Sequence, residues 1–405
     1  MHTRTDHDPA TSPTRPRSAP DWIAWFWSDF LPDWLARVQD GDAGVFDALD
    51  AAGNPDVTAG KSLLAQARNL FTLSHVALLS GDPELIAAAG RQAAFLDRFR
   101  KAPGLYRCKA LRDGSPTGQA ADAAARSYDH TFVILGLVTW NRLSPAPQTD
   151  RRIAECWDAL QSHLTDPATG LLRNDDIAAS PLPAQNPHMH LYEACLQAFR
   201  MTGADIWLKR AAALRAVGLA HFMDQDSGSI AEFLTPELQP LPGSDGLRRE
   251  PGHQCEWAWL LLEEARLARS GELDTPAARL MEFAERHGFA RHGALKGAAF
   301  DAVSSTGTVL ENTFLLWPQT EAIKMLALRH TAGDPQAGDR ARALLCLMFE
   351  RWFQDRPVFV NRLDADGNSL WSEALTRLMY HLVLALTEGA RAGLWPDVPR
   401  AGQMA

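Results

Sequence analysis

From Asp21 onward the chain repeats one pattern. Apolar residues recur at i, i+3, i+4 and i+7 in SLLAQARNLFTLSHVALLS, ELIAAAGRQAAFLDRF, RIAECWDALQSHL, DIWLKRAAALRAVGLAHFM, CEWAWLLLEEARLAR and PAARLMEFAERHG. That spacing turns one face of a helix toward a core, and the sustained alternation that marks strands is hard to find. The runs are separated by SGDPE, TDPATG and AGDPQAGD, stops of the kind that join antiparallel helices. About 385 residues in helix-plus-loop units of roughly 30 predict around a dozen helices, or six helical hairpins. Hairpins of this kind stack into an open solenoid or close into a toroid of inner and outer rings. Self-similarity along the chain is weak, which favours an all-α closed ring. No Gly/Ser-rich or Pro-rich linker divides it, so residues 21–395 are expected to form one domain, flanked by tails at 1–20 and 396–405.

Composition removes several function classes. Forty basic against 49 acidic side chains give a net charge of -9. No lysine or arginine run forms a phosphate-tracking stripe, so nucleic acid is not an expected partner. The N-terminal tail is rich in Pro, Ser, Thr and charge and lacks the apolar segment of a secretory signal, and no apolar stretch is long enough to span a membrane. Five scattered cysteines, Cys108, Cys156, Cys195, Cys255 and Cys346, read as reduced thiols of a cytoplasmic protein.

Several of the helices open on polar chemistry. In QNPHMHLYEACLQAF, Asn186 is the expected N-cap and Pro187 the first helical residue, with Asn186, His190 and Glu193 on one face. REPGHQCEWAWLLLEEARLA places His253 and Glu256 on one face, and LENTFLLWPQTEAIKMLAL puts Trp317, Pro318 and Gln319 just before a helix with Glu321 in its first turn. Arg68 lies inside an apolar helix, Tyr128, Asp129 and His130 precede another, and His381 sits within a hydrophobic stretch. Any one of these taken alone reads as a cap or a paired core group. In a ring of hairpins, however, the inner helices all start at the same end, so these groups converge on one mouth. No Cys pair, HExxH or repeated ExxH element offers a metal site, no Gly-rich loop offers a nucleotide site, and no G-x-S-x-G elbow presents a nucleophile. Histidines, carboxylates, one arginine and tryptophans remain, a set suited to moving protons on a polar, ring-shaped ligand.

QARN (66–69), YDHTFVILGL (128–137), NPHMHLYEA (186–194), EPGHQCEWAWLL (250–261), LWPQTEAIKM (316–325) and YHLVLAL (380–386) together resemble the N-acylglucosamine 2-epimerase superfamily, in its order and across nearly the whole chain after the tail. The resemblance implies an (α/α)6 barrel and a metal-free, cofactor-free sugar isomerase or epimerase acting on the open-chain aldose, which favours the toroid. NPHMH followed by a glutamate is most similar to the D-mannose isomerase branch, which interconverts mannose and fructose. A 2-epimerase of N-acyl sugars or of cellobiose, or a non-catalytic sugar-binding toroid, is the alternative. By the same resemblance His253 and His381 are the catalytic pair, and Arg68, Tyr128, Asn186, His190, Glu193, Glu256, Trp317 and Glu321 line the site of a monosaccharide. Glu256, one turn from His253, is expected to fix that histidine's tautomer. At SLWSEALTRLMYHLVLAL, propensity reads one continuous helix from Trp371, whereas the family implies a break shortly before Tyr380.

Overall fold

The computed structural model describes residues 17–177, 182–354 and 356–401. Fourteen α-helices occur among them: α1 (Ala19–Trp25), α2 (Leu31–Val38), α3 (Leu63–Ser80), α4 (Pro83–Leu96), α5 (Ser127–Leu143), α6 (Pro147–His163), α7 (Gln185–Thr202), α8 (Asp205–Phe222), α9 (Gly243–Leu247), α10 (Pro251–Ala268), α11 (Asp274–His287), α12 (Leu316–Thr331), α13 (Pro335–Met348) and α14 (Met379–Arg391). The long helices build two shells. Helices α3, α5, α7, α10, α12 and α14 pack each on the next, and α14 returns to α3, closing an inner ring. Around it, α4, α6, α8, α11 and α13 each fold back on the inner helix they follow. The N-terminal segment α1–α2 completes the outer wall beside α13, where Trp22 and Trp25 meet Phe349 with ring centroids 5.4 and 5.9 Å apart. This is an all-α (α/α)6 barrel. Its inner helices are buried on nearly every side, as their unbroken apolar character requires.

The two ends of the barrel differ. Connections from inner to outer helices are short and locally coded: Gly81, at φ 71°, ends α3, and Asp82 accepts from the N–H groups of Glu84 and Leu85 to start α4 with Pro83 at its first position. The return connections are long and carry antiparallel strands of two or three residues. Strands so short show no alternation in sequence, which is why none was expected. TDPATG belongs to one of these long connections, with Thr165 bridged to Leu172, and is not a stop between adjacent helices as predicted. The described part of the C-terminal segment is docked, with Val398 buried and the Ala401 N–H donating to the Ser80 carbonyl at 2.8 Å.

A repeated latch ties each long connection to the inner helix it feeds. Gln66 exchanges two hydrogen bonds with the Val45 backbone, Gln254 two with Ile230, and Gln319 two with Ala299. His130 and His188 accept from the Tyr106 and Leu172 N–H groups at 3.0 and 2.7 Å in the same place on their helices. Buried backbone must be satisfied, and these side chains satisfy it. Part of the polar character at the helix starts is therefore structural.

Candidate active site

One side chain per inner helix reaches the centre of the ring, two residues beyond the latch on α3, α5, α7, α10 and α12 and at the third residue of α14. Arg68 on α3 lies over the Phe132 ring at 4.1 Å, Phe132 on α5 is 4.7 Å from His190 on α7, and His190 Nδ1 is 3.8 Å from Glu256 Oε1 on α10. Glu256, Glu321 on α12 and His381 on α14 have ligand atoms all within 4.8 Å, and His381 Nε2 returns to Arg68 Nη1 at 3.3 Å. Six helices thus close a ring of six side chains. Tyr128 accepts from Arg68 Nη2 at 2.7 Å, and Glu193 accepts from His190 Nδ1 at 3.0 Å and from the Tyr380 hydroxyl. Burial opposes ionisation of Glu193, but the His190 and Tyr380 bonds and the Lys324 charge bring its pKa down to about 2. Trp317 stands between the two expected catalytic histidines, its ring 4.8 Å from His253 and 5.9 Å from His381.

The surroundings of those histidines dictate opposite protonation. A guanidinium can only donate, so the contact from Arg68 makes His381 Nε2 an acceptor and leaves the ring proton on Nδ1, which donates to Glu321 Oε1 at 2.8 Å. Burial, followed by the Arg68 and Lys324 charges, holds the His381 pKa well below its usual range. These surroundings favour the neutral imidazole, with Nε2 unprotonated and facing Arg68. His253 Nδ1 instead faces two carboxylates, Glu232 Oε2 at 2.8 Å and Glu250 Oε2 at 3.3 Å. Burial alone would lower its pKa, yet Glu232 and Glu250 raise it to about 10. His253 is an imidazolium. Between them, burial and the repulsion of Glu321 and Glu193 push the Glu256 carboxyl far above the carboxylate range, and neither of its oxygens has a hydrogen-bond partner among the described residues.

Several expectations need correction. Asn186 is not a cap: α7 begins at Gln185 with Ala184 before it, because the Gln185 side chain is anchored by Glu232 and Trp257, and Pro187 falls at the third helical position. The Oδ1 of Asn186 is buried with no partner among the described residues, and no contact ties it to the ring. Trp317 is the second residue of α12 and does not precede it. Glu256 turns toward His190 rather than His253, whose orientation is set by Glu232, itself held by Gln185 at 3.0 Å. At the last helix the break is real. Strands at Ser369–Trp371 and Ala374–Leu375 and a 3-10 turn at Thr376–Leu378 precede Met379, so His381 is the third residue of α14.

Phe132, Gln185, Glu232, Lys324 and Tyr380 are members that the sequence reading missed. A cavity of about 700 Å³ over Asn174, Leu182 and Pro183 contains none of the expected site residues. Three groups bring potential metal ligands together, namely His190/Glu193/Glu256, Glu232/Glu250/His253 and Glu256/Glu321/His381. In each the histidine's Nδ1 is already committed to a carboxylate, and the third lies against Lys324 and Arg68, whose charges oppose a cation.

A toroid of paired helices whose axial end gathers His253, His381, Arg68 and Glu256 offers acid and base groups beside a guanidinium, a set suited to proton transfer on a sugar. Residues 44–385 match the model of the N-acylglucosamine 2-epimerase (GlcNAc 2-epimerase) family, and the chain belongs to that family. Among proteins of known sequence it is similar to the mannose-6-phosphate isomerase of Rhizobium meliloti (strain 1021), 29% identical over 382 residues that cover 91% of this chain and 96% of that one. It is also similar to the D-mannose isomerase of Thermobifida fusca, 28% identical over 57% of this chain and 59% of the other. The crystal structure of a D-mannose isomerase superimposes with a TM-score of 0.80 at 20% identity, covering 95% of this chain and all of that one. The cellobiose 2-epimerase of Spirochaeta thermophila DSM 6192 gives 0.77 at 21% identity, covering 92% and 95%. No helix among the described residues is long and apolar enough to cross a membrane.

Proposed function

We propose that the protein is an aldose–ketose isomerase of a free hexose, with D-mannose and D-fructose as its pair. The observation that carries this reading is the contrast in partners on either side of Trp317, two carboxylates at His253 against Arg68 and a single carboxylate at His381. Ring opening puts a proton on the ring oxygen and takes one from the anomeric hydroxyl on the same carbon; His253, kept charged by Glu232, gives the first and then accepts the second, which returns it to its charged form. The open aldose then loses its C2 proton to His381 Nε2; the resulting imidazolium is stabilised by Glu321 through Nδ1. Negative charge that develops on the enediolate meets the Arg68 guanidinium. Glu256, uncharged and within the ring, is the proton donor and acceptor available to the two oxygens of the enediol. Return of the proton from His381 to C1 gives the ketose. The tryptophan face suits the C–H side of the sugar, and Asn186 Oδ1 is free for a hydroxyl.

The same machinery serves 2-epimerisation if the proton returns to C2 from the opposite face, so products decide between the two. D-mannose, N-acetylmannosamine, cellobiose and mannose 6-phosphate would each be incubated with the enzyme, with and without EDTA. The expected result is fructose from mannose, undiminished by EDTA. Formation of 2-epimers with no ketose, binding of sugar without turnover, or an EDTA loss restored by one divalent ion overturns the reading.

A further inference from the structure

One turn beyond Glu321 on α12, the barrel interior holds a lysine. Lys324 is fully buried, its Nζ lies 2.5 Å from Glu321 Oε2 without hydrogen-bond alignment, and it sits 4.0 Å over the face of Trp259 on α10. Burying an ammonium group is unfavourable unless an opposite charge offsets the lost hydration, and a methionine would fill much the same volume. The charge has something to balance. Around Glu321 stand Arg68 from α3, His190 and Glu193 from α7, Cys255 and Glu256 from α10, and Tyr380 and His381 from α14. Glu193, Glu256 and Glu321 lie together here, Arg68 is spent on His381 and Tyr128, and Lys324 is the cation placed against Glu321.

We propose that Lys324 is a positioning residue for isomerisation: its charge keeps Glu321 ionised, Glu321 therefore accepts from His381 Nδ1, and His381 Nε2 is left free as the base. This rests on His381 being the base. Without the lysine, Glu321 takes up a proton and becomes the donor, the His381 proton moves to Nε2, and the nitrogen that faces Arg68 and the substrate loses its lone pair. Removal of a nearby cation also raises the pKa of both partners, so the pair protonates at higher pH.

The test compares Lys324→Met, Lys324→Arg, Glu321→Gln, the double variant Lys324→Met/Glu321→Gln and His381→Asn, each checked for folding by thermal melt. Lys324→Met is expected to lower kcat about tenfold or more with KM near that of the wild type, and to move the acid limb of kcat/KM upward by about one pH unit, with Lys324→Arg recovering most of both. Acting only through Glu321, it should add no further loss in the Glu321→Gln background. Lys324→Gln, measured the same way, replaces the methionine variant if that one does not fold. A folded neutral variant with the wild-type acid limb, or losses that simply add in the double variant, overturns the proposal. Deuterium exchange at C1 of fructose in D2O separates the two levels. If His381→Asn exchanges normally, the base assignment has failed; if it does not exchange while the neutral Lys324 variants do so at the wild-type rate, only the role of Lys324 has failed.

Discussion

His253 and His381 each place Nδ1 2.8 Å from a carboxylate oxygen, and each sits at the third position of an inner helix. Judged by that contact alone they are equivalent. They differ in what stands beyond it: a second carboxylate, Glu250, at His253, and two cations, Arg68 and Lys324, at His381. Identical hydrogen bonds therefore accompany opposite charge states, because the protonation of a buried group follows the summed charge around it more than its nearest partner. The proposed acid and base are thus one residue type, their rings 4.8 and 5.9 Å from that of Trp317.

The largest break in this comparison is removal of the base. His381→Asn keeps a polar side chain but no usable lone pair on an imidazole, and isomerisation of fructose followed by product analysis should fall by roughly 10²–10⁴ while sugar binding, measured by calorimetry, persists. Next comes Arg68→Lys, which keeps the charge but loses the fork that serves His381 and Tyr128 together. A fall in kcat of about 10–100 is expected, with a smaller change in KM. On the acid side, Glu232→Gln withdraws the first of the carboxylates that raise the His253 pKa. The alkaline limb of mannose turnover should then move to lower pH, and the defect should be several-fold greater from cyclic mannose than from fructose, which has more open chain. Equal defects with both sugars would remove ring opening from the role of His253.

Stability gives the smallest and most separable readings. The folded His253 pKa lies above the unfolded value, so its stabilisation is complete below pH 6.5 and is lost as pH rises from there toward about 10. His381 is the reverse: its folded pKa is depressed, the unfolded chain binds the extra proton, and stability is lost as pH falls below 6.5. Melting temperatures across pH 5–10 should show His253→Asn flattening the alkaline slope. His381→Asn should soften the acid slope only in part, since His75, His130, His188 and His190 are buried with lowered pKa values too.

What the sequence disclosed follows the range of the forces involved. Helix number and pairing were legible because a 3.6-residue period is written locally in every segment, and so was the clustering of Arg68, His190, Glu256, Glu321 and His381, which needs only that inner helices begin at one end. The boundaries at Gln185 and Leu316 were not, because they are set by the anchored Gln185 side chain and by the strand pairing of Phe314–Leu315, contacts made across the fold. Glu232 lies in a loop with no periodic signature and reaches His253 only through the hairpin that pairs Met223 with Ile230. Lys324, inside AIKM, carries no local sign of its burial, since a lysine within a helical run is ordinarily at the surface. A signal for the latches did exist: Gln66, His130, His188, Gln254 and Gln319 recur roughly sixty residues apart, a period hidden because glutamine and histidine alternate in one role.

On this reading two histidines of one site differ in protonation at the same pH, His253 charged and His381 neutral. Nitrogen-15 NMR of histidine-labelled enzyme at pH 8, with His253→Asn and His381→Asn for assignment, reads both rings directly. The account predicts that His253 has both ring nitrogens protonated and that His381 has a protonated Nδ1 beside a bare Nε2. A neutral His253, or a proton on Nε2 of His381, would contradict it.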